Sequence, residues 1–430
     1  MFPKFFLILR LLGFTISLIT QRPALVLSAK LHRLTYRGPG PNPKNIVIIG
    51  GSFGGYFLAK RLAESLPSGY RVVLIERHTH FQFTWNFPRS TVVPGQEGKA
   101  FVPYPAKPSD VAEGSFELKR GVVTTIDDNK VVLATGEVVE YAYLALATGS
   151  RHRYPAALQS DDKAAGVSFF ASLQDRIQHA HTIVVVGGGA AGVEVAGDIR
   201  SKYPDKDVTL VHSRARLLNS FAPGLDAIAR PALEELGVKL HLGERVVGGF
   251  DLEGPGEVVL SSGTVLQCDM LIKCTGQTPN SELVRSFSPS SIAPSGAIMV
   301  EPTLQIKINN APSPTIYALG DVIDLPGPKM GRTASMQGFL VAENIVRAIR
   351  GKRPKAYVPT LIDSSIELTL GLTKNVTYIS DGTTDVSFAK QMTDQAMHAA
   401  QAWKAMDAIP FEEPDQHAID KIGAERVPDT

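Results

Sequence analysis

With 430 residues, 44% of them hydrophobic and 20% charged, the chain has ordinary globular composition and room for two or three domains. A net charge of +2 gives no case for a nucleic-acid partner, and two cysteines in this length argue against a disulfide scaffold. Abundant glycine and proline fit a loop-rich α/β protein.

The first 44 residues stand apart. Residues 5–20 (FFLILRLLGFTISLIT) are apolar except for Arg10, and no Asp or Glu precedes Glu64. Lys4, Arg10, Arg22, Lys30, Arg33, Arg37 and Lys44 are all basic. The uncharged run 11–21 is shorter than the ~20 residues that cross a bilayer. A mitochondrial presequence, an anchor lying in or partly crossing a membrane, and a secretory signal all stay open. Arg10 interrupts the last, so membrane or mitochondrial association is favoured. Residues 37–45 (RGPGPNPKN) are a linker.

Residues 45–76 then read as strand, glycine turn, helix and strand, with an acid about twenty residues after the turn. The turn is Gly50-Gly51-Ser52-Phe53-Gly54-Gly55 and the acid is Glu76. Gly50 permits the tight turn and Gly55 the close approach of helix to strand. The helix N-terminus offers free N–H groups to a pyrophosphate, and Glu76 can accept from ribose hydroxyls. Ser52 stands where the pattern expects its middle glycine. After Glu76 come Phe81, Phe83, Trp85 and Phe87, expected mostly as packing, and Arg89, a candidate contact to a cofactor phosphate or ribityl chain. Residues 121–149 read as a β-meander ending in Ala147-Thr148-Gly149, at a strand end where open α/β sheets place ligands.

Residues 182–212 repeat the opening pattern, with Gly187, Gly188 and Gly189 followed by Gly192. Two such turns in one chain are a strong signal for two dinucleotide folds. His212 takes the position of Glu76, followed by Ser213, Arg214 and Arg216. An acid there repels a 2′-phosphate, whereas this cluster suits one, so NADPH is expected, with NADH as an alternative. Glu194 begins the helix after the turn, either as a dipole partner or as a nicotinamide contact. A strand at 270–274 closes in Thr275-Gly276, and another at 315–322 ends in Gly320-Asp321, which is placed for a ribityl chain or as a helix cap.

Taken in order, GGSFGG with Glu76, ATG at 147–149, GGGAAGVE at 187–194, CTG at 274–276 and YALGD at 317–321 resemble the pyridine-nucleotide oxidoreductase superfamily. VTLVHSRARLL (208–218), SPTIYALGDVIDLPGPKM (313–330) and AWKAM (402–406) narrow the resemblance to its AMID-like branch. The resemblance implies an α/β fold of two Rossmann-like domains, the second inserted in the first. It places an FAD domain at 45–155 and 285–355, an NAD(P)H domain at 156–284, and an α+β segment at 356–430. It implies FAD on residues 50–55, Glu76, Arg89, Val123 and Asp321, NAD(P)H in the second domain with Glu194 near the nicotinamide, and hydride passed through flavin to quinones.

Disulfide reductases of the superfamily keep a C-x4-C pair after the first glycine turn. Here no cysteine precedes Cys268, so Cys268 and Cys274 are expected to pack, and electrons to leave directly to a bound acceptor or to oxygen. No metal-ligand pattern occurs. Met336 and Gln337 are expected near the flavin ring, extended stretches over 365–372 and 376–380, and a helix over 389–406. A protein-carrier reductase and a redox-sensing, death-signalling flavoprotein are the competing functions.

Overall fold

The computed structural model describes residues 2–151, 158 and 160–413. Within the strand Lys44–Ile49, the apolar, β-branched residues Ile46, Val47, Ile48 and Ile49 are buried and have nothing polar to offer either face of a sheet, so the strand sits at the centre of one. It pairs in parallel with Tyr70–Glu76 on one side and Tyr143–Leu146 on the other. Phe116–Arg120 extends the sheet beyond Tyr70–Glu76, and Ala311–Ala318 extends it beyond Tyr143–Leu146, both in parallel. Gln305–Ile308 closes that edge antiparallel. The six strands therefore come from two stretches of chain, 44–146 and 305–318, that flank a second sheet. The helices Phe53–Ala63 and Gly331–Ile349 pack on each other through small residues, and a Cβ on Gly338 would stand 2.8 Å from the Gly54 carbonyl. The meander strands Val123–Asp127, Lys130–Leu133 and Val138–Glu140 add Val123, Ile126, Val131 and Val139 to the same core.

The second sheet has four parallel strands in the order Lys239–Leu242, Asp207–His212, Thr182–Val186, Met270–Lys273. The helix Ala190–Lys202 follows its central strand. The chain enters and leaves this unit side by side: Ser150–Arg151 pairs antiparallel with Thr278–Pro279. Thr148 and Asn280 also exchange side-chain hydrogen bonds of 2.7 and 2.8 Å. The α/β class and the two tandem nucleotide folds are those the glycine turns predict.

The C-terminal segment has the expected α+β character, with strands in the stretches 365–372 and 376–380, but its helix differs from the expected one. Residues 389–406 are not one helix. Asp385–Gln391 is a strand, hydrogen-bonded along its full length to Lys374–Ser380, which pairs in turn with Ile366–Thr369. Only Ala399–Ala405 is helical. The strand's apolar residues are too sparse to mark a helix face, and its partner strand supplies the bonds that local propensity does not. The sheet's Ile366, Leu368, Val376 and Tyr378 join the second domain's core, whereas Ala399, Trp403 and Met406 join the first's. Trp403 is wholly buried and donates from Nε1 to the Lys99 carbonyl at 2.9 Å.

The N-terminal arm is one helix, Phe2–Thr35, about 51 Å long at 1.5 Å per residue. It is long and apolar enough to cross a membrane by length and composition, and little of it is buried.

Candidate functional site

Both glycine turns are built alike. Gly50 and Gly187 hold φ of +98° and +119°, a region open mainly to glycine. A Cβ on Gly55 would lie 1.7 Å from the Gly50 carbonyl oxygen, and one on Gly192 would lie 1.8 Å from that of Gly187. No side chain fits there without prising helix from strand. The middle position is different. Ser52 has φ −78° and ψ −159°, Gly189 has φ −78° and ψ −178°, and a Cβ on Gly189 would meet nothing within 4 Å. Serine at 52 therefore costs no backbone strain and leaves the turn intact.

The acid and its counterpart are also equivalent. The buried Glu76 carboxylate accepts hydrogen bonds from the Gly51 N–H and from the His78 N–H, the latter at 2.8 Å. His78 Nδ1 lies 2.6 Å from the same carboxylate. Burial alone would lift this carboxyl, but the hydrogen bonds and charge of His78 and the two backbone donors hold it below the ordinary carboxylate value. In the second fold the Gly188 N–H donates to His212 Nδ1 at 3.1 Å, and His212 Nε2 lies 3.2 Å from Asn219 Oδ1. Burial, and next the charge of Arg214 against the Asn219 contact, leave His212 below the usual imidazole value. Ser213 is half-buried, and Arg214 and Arg216 are exposed beside it.

A cavity of about 1280 Å³ joins the two folds, larger than the few hundred to 1,000 Å³ of a drug-sized pocket. From the first fold it is lined by Gly50, Ser52, Phe53, Gly54, Glu76 and Val123, and further along by Thr148, Gly149 and Asp321. From the second fold it is lined by Gly189 and Glu194. Gly51, Gly55, Gly187, Gly188 and Gly192 shape the turns from behind. His212, Ser213, Arg214 and Gly276 lie outside the lining. Asp321 Oδ2 accepts from Gln277 Nε2 at 2.8 Å and from Ser150 Oγ at 3.1 Å.

Arg89 is a correction. Its side chain is wholly buried and does not reach the cavity. Nε and Nη2 donate to the two oxygens of Asp198 at 2.7 and 3.1 Å, and Nη1 donates to Gln395 Oε1 at 2.6 Å. The aromatic-rich segment turns its short helix Phe87–Val92 onto Ala190–Lys202, so the guanidinium joins the domains instead of facing a ligand. Met336 and Gln337 are likewise absent from the lining, and Gln337 instead accepts the Gly320 N–H at 2.7 Å. Met330, Gly331, Arg332 and Ala334 of the same region line the cavity.

The wall that the motifs do not announce comes from the C-terminal sheet. Glu367, Asn375, Lys390 and His398 meet there: Glu367 Oε1 lies 2.6 Å from Asn375 Nδ2, 3.1 Å from Lys390 Nζ and 3.2 Å from His398 Nε2. Thr369 donates to Glu194 Oε1 from its N–H at 3.1 Å and from its hydroxyl at 3.2 Å. Burial lifts the Glu194 carboxyl to about 7, the Asp198 charge adds to this, and the Thr369 hydrogen bonds and Arg89 oppose it. Both cysteines are free thiols, burial pushes Cys274 up to about 12, and neither lines the cavity. Among the described residues no group of His, Cys, Asp and Glu could hold a metal ion.

Two Rossmann turns, each with a hydrogen-bond acceptor behind it, opening on one shared cavity, define a two-nucleotide oxidoreductase. The match to the pyridine nucleotide-disulphide oxidoreductase family spans residues 44–338, and the chain belongs to that family. It is 33% identical to Fe-regulated protein 8 of Mycosarcoma maydis, over 84% of this chain and 97% of that protein. It is 30% identical to ferroptosis suppressor protein 1 of Homo sapiens, over 85% and 96%. The sulfide:quinone oxidoreductase of Aquifex aeolicus shares the fold, with TM-score 0.68, 19% identity and coverage of 90% and 96%. The chain is thus an AMID-like flavoprotein that takes FAD and NADH or NADPH, without the family's redox disulfide.

The residues fit that pair of cofactors. Each turn leaves its middle position open toward the cavity, and the Glu76 carboxylate is fixed by donors from both sides.

Proposed function

We propose that this NAD(P)H oxidoreductase delivers its electrons to a quinone-type acceptor at a membrane surface. Bound FAD would supply hydride acceptance from the reduced nicotinamide and onward electron transfer. Gly50, Ser52 and Gly54 would hold its pyrophosphate, Glu76 its ribose with Val123 on the same side, and Asp321, Thr148 and Gly149 the ribityl–flavin end. Gly189 would take the coenzyme pyrophosphate, and Ser213, Arg214 and Arg216 a 2′-phosphate beside the His212 ring. Glu194 borders the space where nicotinamide would lie, and with a pKa near 7 it can hold or release a proton at working pH.

The observation that carries the acceptor class is the cavity's third wall. Ile366, Met392 and Met397 give it an apolar surface, and Lys390 and His398 set polar groups among them. That mixture suits a flat ring bearing carbonyl oxygens, and no thiol intervenes. The exposed apolar helix Phe2–Thr35 supports residence at a membrane, and its basic, acid-free sequence also suits a mitochondrial address.

Anaerobic titration of the yellow protein with NADPH and NADH, followed by addition of a short-chain quinone, is the test. Bleaching by NADPH and recovery with quinone are expected. A flavin that bleaches but recovers only with a protein carrier would overturn the acceptor assignment.

A further inference from the structure

The arm helix Phe2–Thr35 carries two apolar stripes. Leu7, Leu11 and Phe14, spaced by four and three, are buried or half-buried toward the protein. Phe5, Leu9, Leu12, Ile16 and Ile19, spaced by four, three, four and three, form a second stripe facing away, each between 45% and 62% exposed. Thus the first stripe is covered by the body and the second is not.

The helix is tied to the body at both ends. Near its start Arg10 Nη1 pairs with Asp381 Oδ2 at 3.2 Å, and the helix packs against the strand Asp385–Gln391. At its end His32 Nε2 lies 2.7 Å from the Leu66 carbonyl, and Tyr36 donates to the Tyr70 carbonyl at 2.7 Å. Arg10 and His32 are about 33 Å apart along the axis, slightly more than the ~30 Å thickness of a hydrocarbon core. A helix crossing a bilayer carries its two ends to opposite sides, so it cannot hold both ends against one globular body. It can do so lying flat.

We propose that Phe2–Thr35 is an in-plane membrane strap. Its outer stripe sinks into the acyl boundary of a bilayer, and Lys4, Lys30 and Arg33 meet anionic headgroups; the inference rests on the membrane reading above. Charge complementarity names the occupant, since no acid occurs in the arm to repel phosphate. The strand beside the strap continues into Lys390, Gln391 and Met392, which line the cavity. The strap therefore sets that wall against the lipid, where a lipophilic acceptor is dissolved.

Flotation of the full chain with phosphatidylcholine vesicles, with and without phosphatidylserine, tests the stripe. Binding is expected to strengthen with phosphatidylserine, and the double variant Leu12→Glu/Ile16→Glu is expected to lower partitioning on the order of a hundredfold. Its circular dichroism should be unchanged, because both side chains are exposed. Topology is read with Lys4→Cys and a membrane-impermeant maleimide added to sealed vesicles, against the wild-type background of Cys268 and Cys274. An in-plane strap labels before detergent is added. Labelling only after detergent would mean that the helix spans and would sink the strap while leaving membrane residence standing. Failure to float with either vesicle would remove both.

Discussion

Replacing Arg89 by methionine keeps most of the side-chain volume and deletes the charge. Both oxygens of Asp198 are held by this guanidinium, and both side chains have 0% exposure. Without it a desolvated carboxylate stays next to Glu194 with no counter-charge, and Gln395 loses its donor. Removing one partner of such a pair costs about 3–5 kcal/mol, a hundred- to several-thousand-fold in the folded-to-unfolded ratio. Replacing both ions, R89M with D198L, should recover most of that loss, because the desolvation penalty leaves with the pair. Urea unfolding of the flavin-free protein, followed by far-UV circular dichroism, reads this out, with FAD affinity measured separately. If R89M left stability within about 0.5 kcal/mol of wild type and instead weakened FAD binding, the guanidinium would be a cofactor ligand and the reasoning here would fail.

Three other outcomes follow from the same geometry. The Glu194 carboxyl titrates near 7 in the folded chain against an ordinary 4.5, so its contribution is complete below the lower value and is lost as pH rises toward 7. Wild type should therefore lose on the order of 3 kcal/mol relative to Glu194→Gln across that window, and a difference independent of pH would contradict it. Gly192→Ala should weaken coenzyme binding at least a hundredfold while flavin absorbance persists, since its Cβ would strike the Gly187 carbonyl at 1.8 Å; unchanged NADPH titration would refute the close packing. His212→Glu places behind the coenzyme turn an acid like the one behind the first turn, and the NADPH-to-NADH ratio of kcat/KM should fall at least tenfold. An unchanged ratio would remove the 2′-phosphate assignment to this loop.

The parts legible in the sequence are those built from neighbouring residues. Each glycine turn, its strand and its helix lie within about thirty residues, so their spacing carries the geometry. Glu76 behind the first turn is legible for the same reason. The ion pair of Arg89 is not legible, because an arginine following an aromatic loop looks free and nothing near it in sequence announces Asp198, 109 residues on. Thr369 meets Glu194 from 175 residues away. The third wall is hidden for a related reason. Lys390 and His398 reach the cavity through strand pairing in a segment with weak periodicity, where tertiary contacts override propensity. The alternation of Ile366 and Leu368 does mark the half-buried strand, but not the cavity that its sheet lines.

The tail has a consequence for how the molecule moves. Its sheet is rooted in one lobe and Trp403 in the other, with the Asn86 amide donating to the Ala396 carbonyl between them at 2.6 Å. A segment sewn into both halves works as a staple and resists a clamshell motion. Relative rotation of the two lobes would have to break this staple, so the cavity between them keeps its width as long as the tail stays docked.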